Sequence, residues 1–405
     1  MNPQTAIEKE MSRISGEEAE EGDYIWGKPD LVYMHDLLGP SCMEAMENIS
    51  QGKTRFEGEV VLVNDHIYPP KDIQSANNAK NMVNQFTSRK WTVTPPGSGI
   101  EHTLLIENGT IKPGMVVVGT DSHTVTAGAA GAFGIGFGST DMGALLAMGK
   151  TWFRVPETMF FNISGKRPHF ITGKDIILEI IGRIGVDGAN YRVMEIMERS
   201  DADLSMDDDL SVANMTIEAG AKSCIIRNEK NPHFSTLPFS DMERINRVDN
   251  IDISEMEPKI SVPYSPGNVK NAKDVEGVEI DQAYIGNCSN GTLNDLRQAA
   301  STLKGKKVHD NVKLIVVPAT RNIYRQAISE GIIDILLEAG ATVGPSTCGA
   351  CAGLHMGVLG KDEVCISNIN RNFRGRMGDP SSRVYLANSY VVALSAVMGR
   401  IAVPE

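Results

Sequence analysis

Short apolar runs that end in a polar turn and then give way to a helical pattern recur along this chain. That alternation limits the fold more than any other feature. "DQAYIGNCSNGTLNDLRQAASTL" has this order, and "VKLIVVPATRNIYRQAISEGIIDILLEAG" repeats it. "EVCISNINRNFRGRMG" followed by "SRVYLANSYVVALSAVMGR" repeats it again, and "GEVVLVNDHIYPP" and "GMVVVGTDSHTVTAG" show it nearer the N-terminus. Strands alternating with helices predict βαβ units and mostly parallel sheets, an α/β fold. A chain of 405 residues is too long for one core. Three domains are expected, over 1–155, 156–265 and 266–405, with "EPKISVPYSPGNVKNAKDVEG" as a linker before the last.

The chemistry sits at the strand ends. Asp65-His66 closes one apparent strand and Asp121-Ser122-His123 another, while Cys288, Cys348 and Arg371 each follow a strand in the last third. Ligands of open α/β sheets bind beyond the carboxyl ends of the strands. Turns collect polar residues in any case, but Asp-His, Asp-Ser-His and Cys-x-x-Cys are not ordinary turn chemistry. These residues are therefore expected to share one crevice.

The pair Cys348-x-x-Cys351 in "STCGACAG" has three readings. A structural zinc site needs two more close ligands, and His355 is the only obvious helper. A thioredoxin-type pair should open a helix directly after a strand, which the glycine-rich context fits poorly. An iron–sulfur cluster is the third. Cys288 favours the last, because it stands at a strand end in the same expected sheet. Three thiolates cannot saturate a four-iron cluster, and an open iron is a Lewis acid for a hydroxy acid. Cys42, Cys224 and Cys365 lie in apolar or helical surroundings and read as buried small hydrophobes.

Eliminating water from a 2-hydroxy acid also needs a general acid and a base. Asp65-His66, Asp121-Ser122-His123 and His102 offer carboxylate–imidazole neighbours, which raise a histidine pKa. "NINRNFRGRMGDP" carries Asn370, Arg371, Asn372, Arg374 and Arg376, and planar guanidinium groups grip carboxylates with two prongs. Asn214 and Glu218 stand four apart in a helical stretch and alone read as an exposed polar couple. The glycines of "GAAGAFGIGFGST" lack the dinucleotide frame and read as close packing around the His123 loop. A net charge of −12 argues against a nucleic-acid binder, and local arginines must hold any acidic substrate. No signal peptide or membrane span is legible, so a cytoplasmic location is expected.

Together these motifs resemble the aconitase superfamily, and within it large subunits of the 3-isopropylmalate dehydratase or homoaconitase type. "MHDLLGP", "NDHIYPP", "GSGIEH", "GTDSHT", "ANMTIEAGA", "IGNCSNG", "STCGACAG" and "NRNFRGRMGDP" carry the likeness, in the family's order, from about Asp30 to Ile401. The resemblance implies three aconitase-type domains around a [4Fe–4S] cluster on Cys288, Cys348 and Cys351. It makes Asp65-His66 the acid for the leaving hydroxyl. It places His102, Asp121, His123 and Glu218 around that hydroxyl and Asn214 and Asn370 near the cluster. It gives Arg371 and Arg376 to the substrate carboxylates, and puts His35 and Ser122 beside the substrate. The family's base is a serine on a swivelling domain, which the motifs up to Glu405 do not include, so the resemblance implies a small-subunit partner. "GNCSNG" and "STCGACAG" depart from the family's "GSCTNG" and "PTCGPCLG" but keep the thiols. The implied activity is hydro-lyase chemistry on isopropylmalate, with homocitrate/homoaconitate or 2,3-dimethylmalate as alternatives.

Overall fold

The computed structural model describes residues 3–229 and 239–405. Three larger sheets, mostly parallel, organise them, beside a two-stranded antiparallel ribbon of Tyr24–Gly27 and Thr151–Arg154. The first has five parallel strands in the order Thr92–Val93, Glu59–Val63, Leu31–His35, Val116–Gly119, Phe133–Gly136. Chain order runs outward from Leu31–His35 to one edge, then resumes at Val116–Gly119 on its other side. The gap between those two strands is thus a topological switch point, where helices leave in opposite directions and open a crevice. The second sheet is also parallel, in the order Ser223–Asn228, Arg192–Glu198, Glu157–Ser164, Arg247–Asp252.

The third sheet has seven strands. Its parallel part runs Arg383–Ala387, Val364–Ser367, Gln282–Gly286, Lys313–Val317, Thr342–Val343. Its switch point lies between Gln282–Gly286 and Val364–Ser367. The stretch expected as a linker instead supplies Lys259–Ser261 and Val269–Asn271, antiparallel strands that edge this sheet. Its prolines stand in the connection and at the rim, where a missing N–H breaks no ladder bond; that is why a proline-rich text can still be strand.

Helix starts follow local capping chemistry. Thr172 with Asp175, Ser205 with Asp208, and Thr292 with Asp295 form capping boxes that open Gly173–Ile184, Met206–Met215 and Leu293–Leu303. The cores of the second and third sheets merge, since Phe161, Ile177 and Met194 belong to one buried cluster with Tyr284, Cys351 and Leu386. No helix among the described residues is long and apolar enough to cross a membrane.

Candidate active site

Both switch points deliver side chains to one place. Leu31–His35 ends in His35 itself, and Asp121 to His123 follow Val116–Gly119. From the third sheet, Cys288 follows Gln282–Gly286, and Asn370 and Arg371 follow Val364–Ser367. Asp65 joins the two halves. Its carbonyl accepts from the Cys348 N–H (2.9 Å) and the Thr347 hydroxyl (2.8 Å).

The thiol cradle is built by a strained turn. Gly286 has φ +142°, and a Cβ there would lie 2.1 Å from the Val317 carbonyl oxygen. Asn287 follows with φ 68°, a left-handed conformation that asparagine tolerates better than most residues. Its amide donates to the carbonyls of Thr347 (2.8 Å) and Cys348 (3.0 Å), stapling the Cys288 turn to the Cys348–Cys351 loop. Asn214 donates to Cys288 Sγ (3.3 Å) and to Thr126 Oγ1 (2.9 Å). Asn370 donates to Asn214 Oδ1 (3.0 Å) and lies 3.7 Å from the same sulfur, while its Oδ1 accepts from Cys351 Sγ (3.4 Å). Contact with Cys348 pulls Cys351 down to about 5 against its burial, with Arg376 and His123 helping; the same contact, with burial, pushes Cys348 well up.

Three sets of His, Asp and Glu donors among the described residues are packed tightly enough to share one ion, and the cysteines are in none of them. A single zinc would need its sulfurs that close. Three buried thiols that do not all converge on one ion position, with amide donors on one sulfur, fit an iron–sulfur cluster. Cys42, Cys224 and Cys365 are buried elsewhere. His355 faces the His66 carbonyl (3.3 Å) and is no fourth ligand.

Beside the thiols lies a closed imidazole–carboxylate network. His66 Nδ1 is 2.7 Å from Asp65 Oδ1, and its Nε2 is 3.7 Å from Asp121 Oδ2. Burial lowers the His66 pKa, but Asp65, Asp121 and Glu101 lift it well above the usual histidine range. Burial raises Asp121, and bonds from His102, His123 and His66 hold it well below the usual carboxylate range instead. Asp121 Oδ1 accepts from the His123 N–H (2.7 Å) and lies 3.2 Å from His102 Nε2. Tyr33 OH orients the other His102 nitrogen (3.1 Å). His35 stacks on His66 with ring centroids 3.9 Å apart. The N–H groups of Leu37 and Leu38 both point at His35 Nδ1 (3.3 Å), so its proton sits on Nε2.

On the far side, His123 Nε2 is 3.0 Å from Glu218 Oε1, and Arg371 Nε donates to the same oxygen (2.6 Å). Arg371 Nη2 donates to Ser122 Oγ (2.8 Å). Arg376 lies against the thiol pair; burial lowers its pKa, and Cys351 and Cys348 more than offset that.

All fifteen expected site residues thus converge, with two corrections to how they were read. Asn214 and Glu218 are not an exposed couple: both are buried, because Met206–Met215 ends between them and a 3-10 turn, Thr216–Ala219, folds Glu218 inward. Of the arginine loop, Arg374 is exposed and stacks on Tyr264 (4.1 Å), and Asn372 is buried on the backbone of Ser261, Val262 and Val384. The glycines after His123 do pack closely; a Cβ on Gly134 would lie 1.9 Å from the Thr124 carbonyl oxygen. Residue reading alone missed Asp36, which accepts from the N–H groups of His66 and Ile67, and Glu101, whose fully buried carboxyl finds no hydrogen-bond partner. Burial and Asp65 push the Glu101 carboxyl well up. "MHDLLGP" and "GSGIEH" contain both, but nothing in spacing marks a carboxyl as buried.

Comparisons with known proteins agree with this geometry. The model of the aconitase family (aconitate hydratase) matches residues 6–237 and 228–399. A 3-isopropylmalate dehydratase large subunit from Hydrogenobaculum sp. is 46% identical over 95% of this chain and 93% of its own length. One from Heliobacterium modesticaldum is 45% identical over 99% of each chain. The large subunit 2 of Rubrobacter xylanophilus is 44% identical over 99% of this chain and 98% of its own. With a family match over nearly its whole length and a site built at two facing switch points, the chain belongs to the aconitase family.

Proposed function

We propose that this chain is the large subunit of a cytoplasmic hydro-lyase that dehydrates and rehydrates 3-isopropylmalate, with a [4Fe–4S] cluster on Cys288, Cys348 and Cys351. The observation that carries the reading is His66, doubly flanked by carboxylates beside a three-thiol cradle. The names of the relatives support the substrate and the subunit role. The 1–155, 156–265 and 266–405 division follows the same reading.

A bound cluster with three thiolate ligands supplies a Lewis-acidic iron. The chain's own residues then do the proton chemistry. His66 stays an imidazolium at neutral pH and gives its proton to the departing hydroxyl. Asp65 holds the ring through Nδ1, and Asp121 links His66, His102 and His123 through its two carboxylate oxygens. His35 Nε2–H offers a buried donor, without a partner among the described residues, for a substrate oxygen. Arg371 and Arg376 take the carboxylates, and Glu218 and Ser122 fix the Arg371 fork. Asn214 and Asn370 orient the Cys288 sulfur. The small subunit brings the base that removes the carbon-bound proton.

Support for a lid-like partner comes from exposed apolar side chains on the segments leaving the site. Leu37 and Leu38 follow His35, Ile73 opens the helix after Asp65-His66, and Phe373 follows Arg371. The test is anaerobic reconstitution with iron and sulfide, with and without the small subunit, on a panel of hydroxy acids. Sulfide-containing chain that turns over 3-isopropylmalate only with its partner is the expected result. Zinc in place of iron and sulfide, or full turnover by the isolated chain, would defeat the proposal.

A further inference from the structure

Lys174 is the one lysine among the described residues with no exposed surface at all. It lies in the first turn of Gly173–Ile184, and its ammonium points into the merged core of the second and third sheets. Its Nζ donates to the carbonyl of Ile369 (3.1 Å) and to Met215 Sδ (2.9 Å), a weak acceptor. No carboxylate among the described residues is within ion-pair distance of it. A buried ammonium without a paired charge is strongly unfavourable, because the water it loses is not replaced. Its charge must therefore answer a charge nearby.

The two nearest acids are already satisfied by others. Asp295 accepts from Thr292, Asn290 and Ser389. Asp175 accepts from Thr172, Asn388 and the Lys259 N–H. Their fields still reach Lys174, and the thiol cradle adds to them. Met215 and Ile369, the two groups that Lys174 holds, are the immediate chain neighbours of Asn214 and Asn370, the two asparagines at Cys288 Sγ. Burial lowers the Lys174 pKa to about 8, and the fields of Asp295, Cys288 and Cys351 work against that and favour its charged form.

We propose that Lys174 is a counter-charge built behind the thiolates, which raises the reduction potential of the bound cluster and protects it from oxidative loss. The inference rests on the three-thiol reading above. A fixed positive charge stabilises the reduced, more negative cluster over the oxidised one, because both charge and hydrogen bonding around the sulfurs set the potential. Lys174 is a positioning and tuning residue; its Nζ bonds the Ile369 carbonyl and Met215 Sδ and none of the histidines or carboxylates of the proton network.

The test compares anaerobically loaded wild type with Lys174→Gln, Lys174→Met and Lys174→Arg, by iron and sulfide content and by a mediated redox titration followed by EPR. Gln keeps a donor for the Ile369 carbonyl without charge, Met removes both, and Arg keeps the charge. The Gln and Met variants should titrate at lower potential than wild type and bleach faster in air, while Arg stays close to wild type. A Gln variant with wild-type sulfide content and wild-type potential overturns the inference and leaves Lys174 as a peg for one carbonyl. An Arg variant shifted as far as Gln overturns it too. A wild-type chain that takes up no sulfide overturns the proposed function itself, and this inference with it.

Discussion

His66 and Asp121 titrate in opposite senses, and the signs determine how the folded chain responds to pH. The folded His66 pKa is raised above the unfolded value of about 6.5. Its pairing therefore stabilises the fold fully below about pH 6.5 and is lost as pH climbs through the raised value. Asp121 is depressed, so its contribution is present above about pH 4 and is lost as acid reaches the lowered value. Asp121→Asn removes one flank of His66 and should shrink the alkaline loss of stability, at the price of a lower Tm near neutrality. Thermal melts from about pH 6 to about pH 10 decide it; parallel curves for the two proteins would show that the pairing contributes nothing. The same residues show what a chain reveals by itself. Asp-His and Asp-Ser-His announce their chemistry in two or three letters. Glu101 and Lys174 do not, because their significance comes from burial, and burial comes from partners up to 195 residues away.

At the scale of elements, the thiol cradle depends on a turn. The Gly286–Asn287 turn throws Cys288 toward the Cys348–Cys351 loop, and the Asn287 amide holds the two together. Asn287→Gly accommodates φ 68° freely but loses both bonds; Asn287→Ala loses the bonds and adds roughly 1 kcal/mol of left-handed strain. Urea unfolding should rank wild type above Gly and Gly above Ala, and both variants should hold less sulfide after reconstitution. Equal stability of Gly and Ala would mean that the turn relaxes. The alternation of apolar runs and helical patterns made the parallel strands legible, since period and punctuation are local. The edge strands at 259–261 and 269–271 were not legible, because proline-rich text between them reads as linker until a sheet edge is there to receive it.

For the whole molecule, the exposed apolar side chains on the segments that leave the site are the face on which the proposed small subunit would dock. Ile73 is 82% exposed and Phe373 44%. Ile73→Glu with Phe373→Glu should weaken association with the small subunit by tenfold or more, about 1.4 kcal/mol, while the isolated chain keeps its melting temperature and its sulfide. Analytical ultracentrifugation of the mixed subunits reads this directly; undiminished association would move the interface elsewhere. A net charge of −12 gives no long-range pull on an acidic substrate, so the arginines act only at contact. The bond pair from Thr347 and Cys348 to the Asp65 carbonyl has a consequence for redesign. Anyone resizing the cysteine loop to accept a different inorganic group would also shift His66, the proposed proton donor, because the Asp65 peptide unit anchors both. The Asp65-His66 pair and the cysteine loop form a single mechanical part, and swapping either means rebuilding its counterpart.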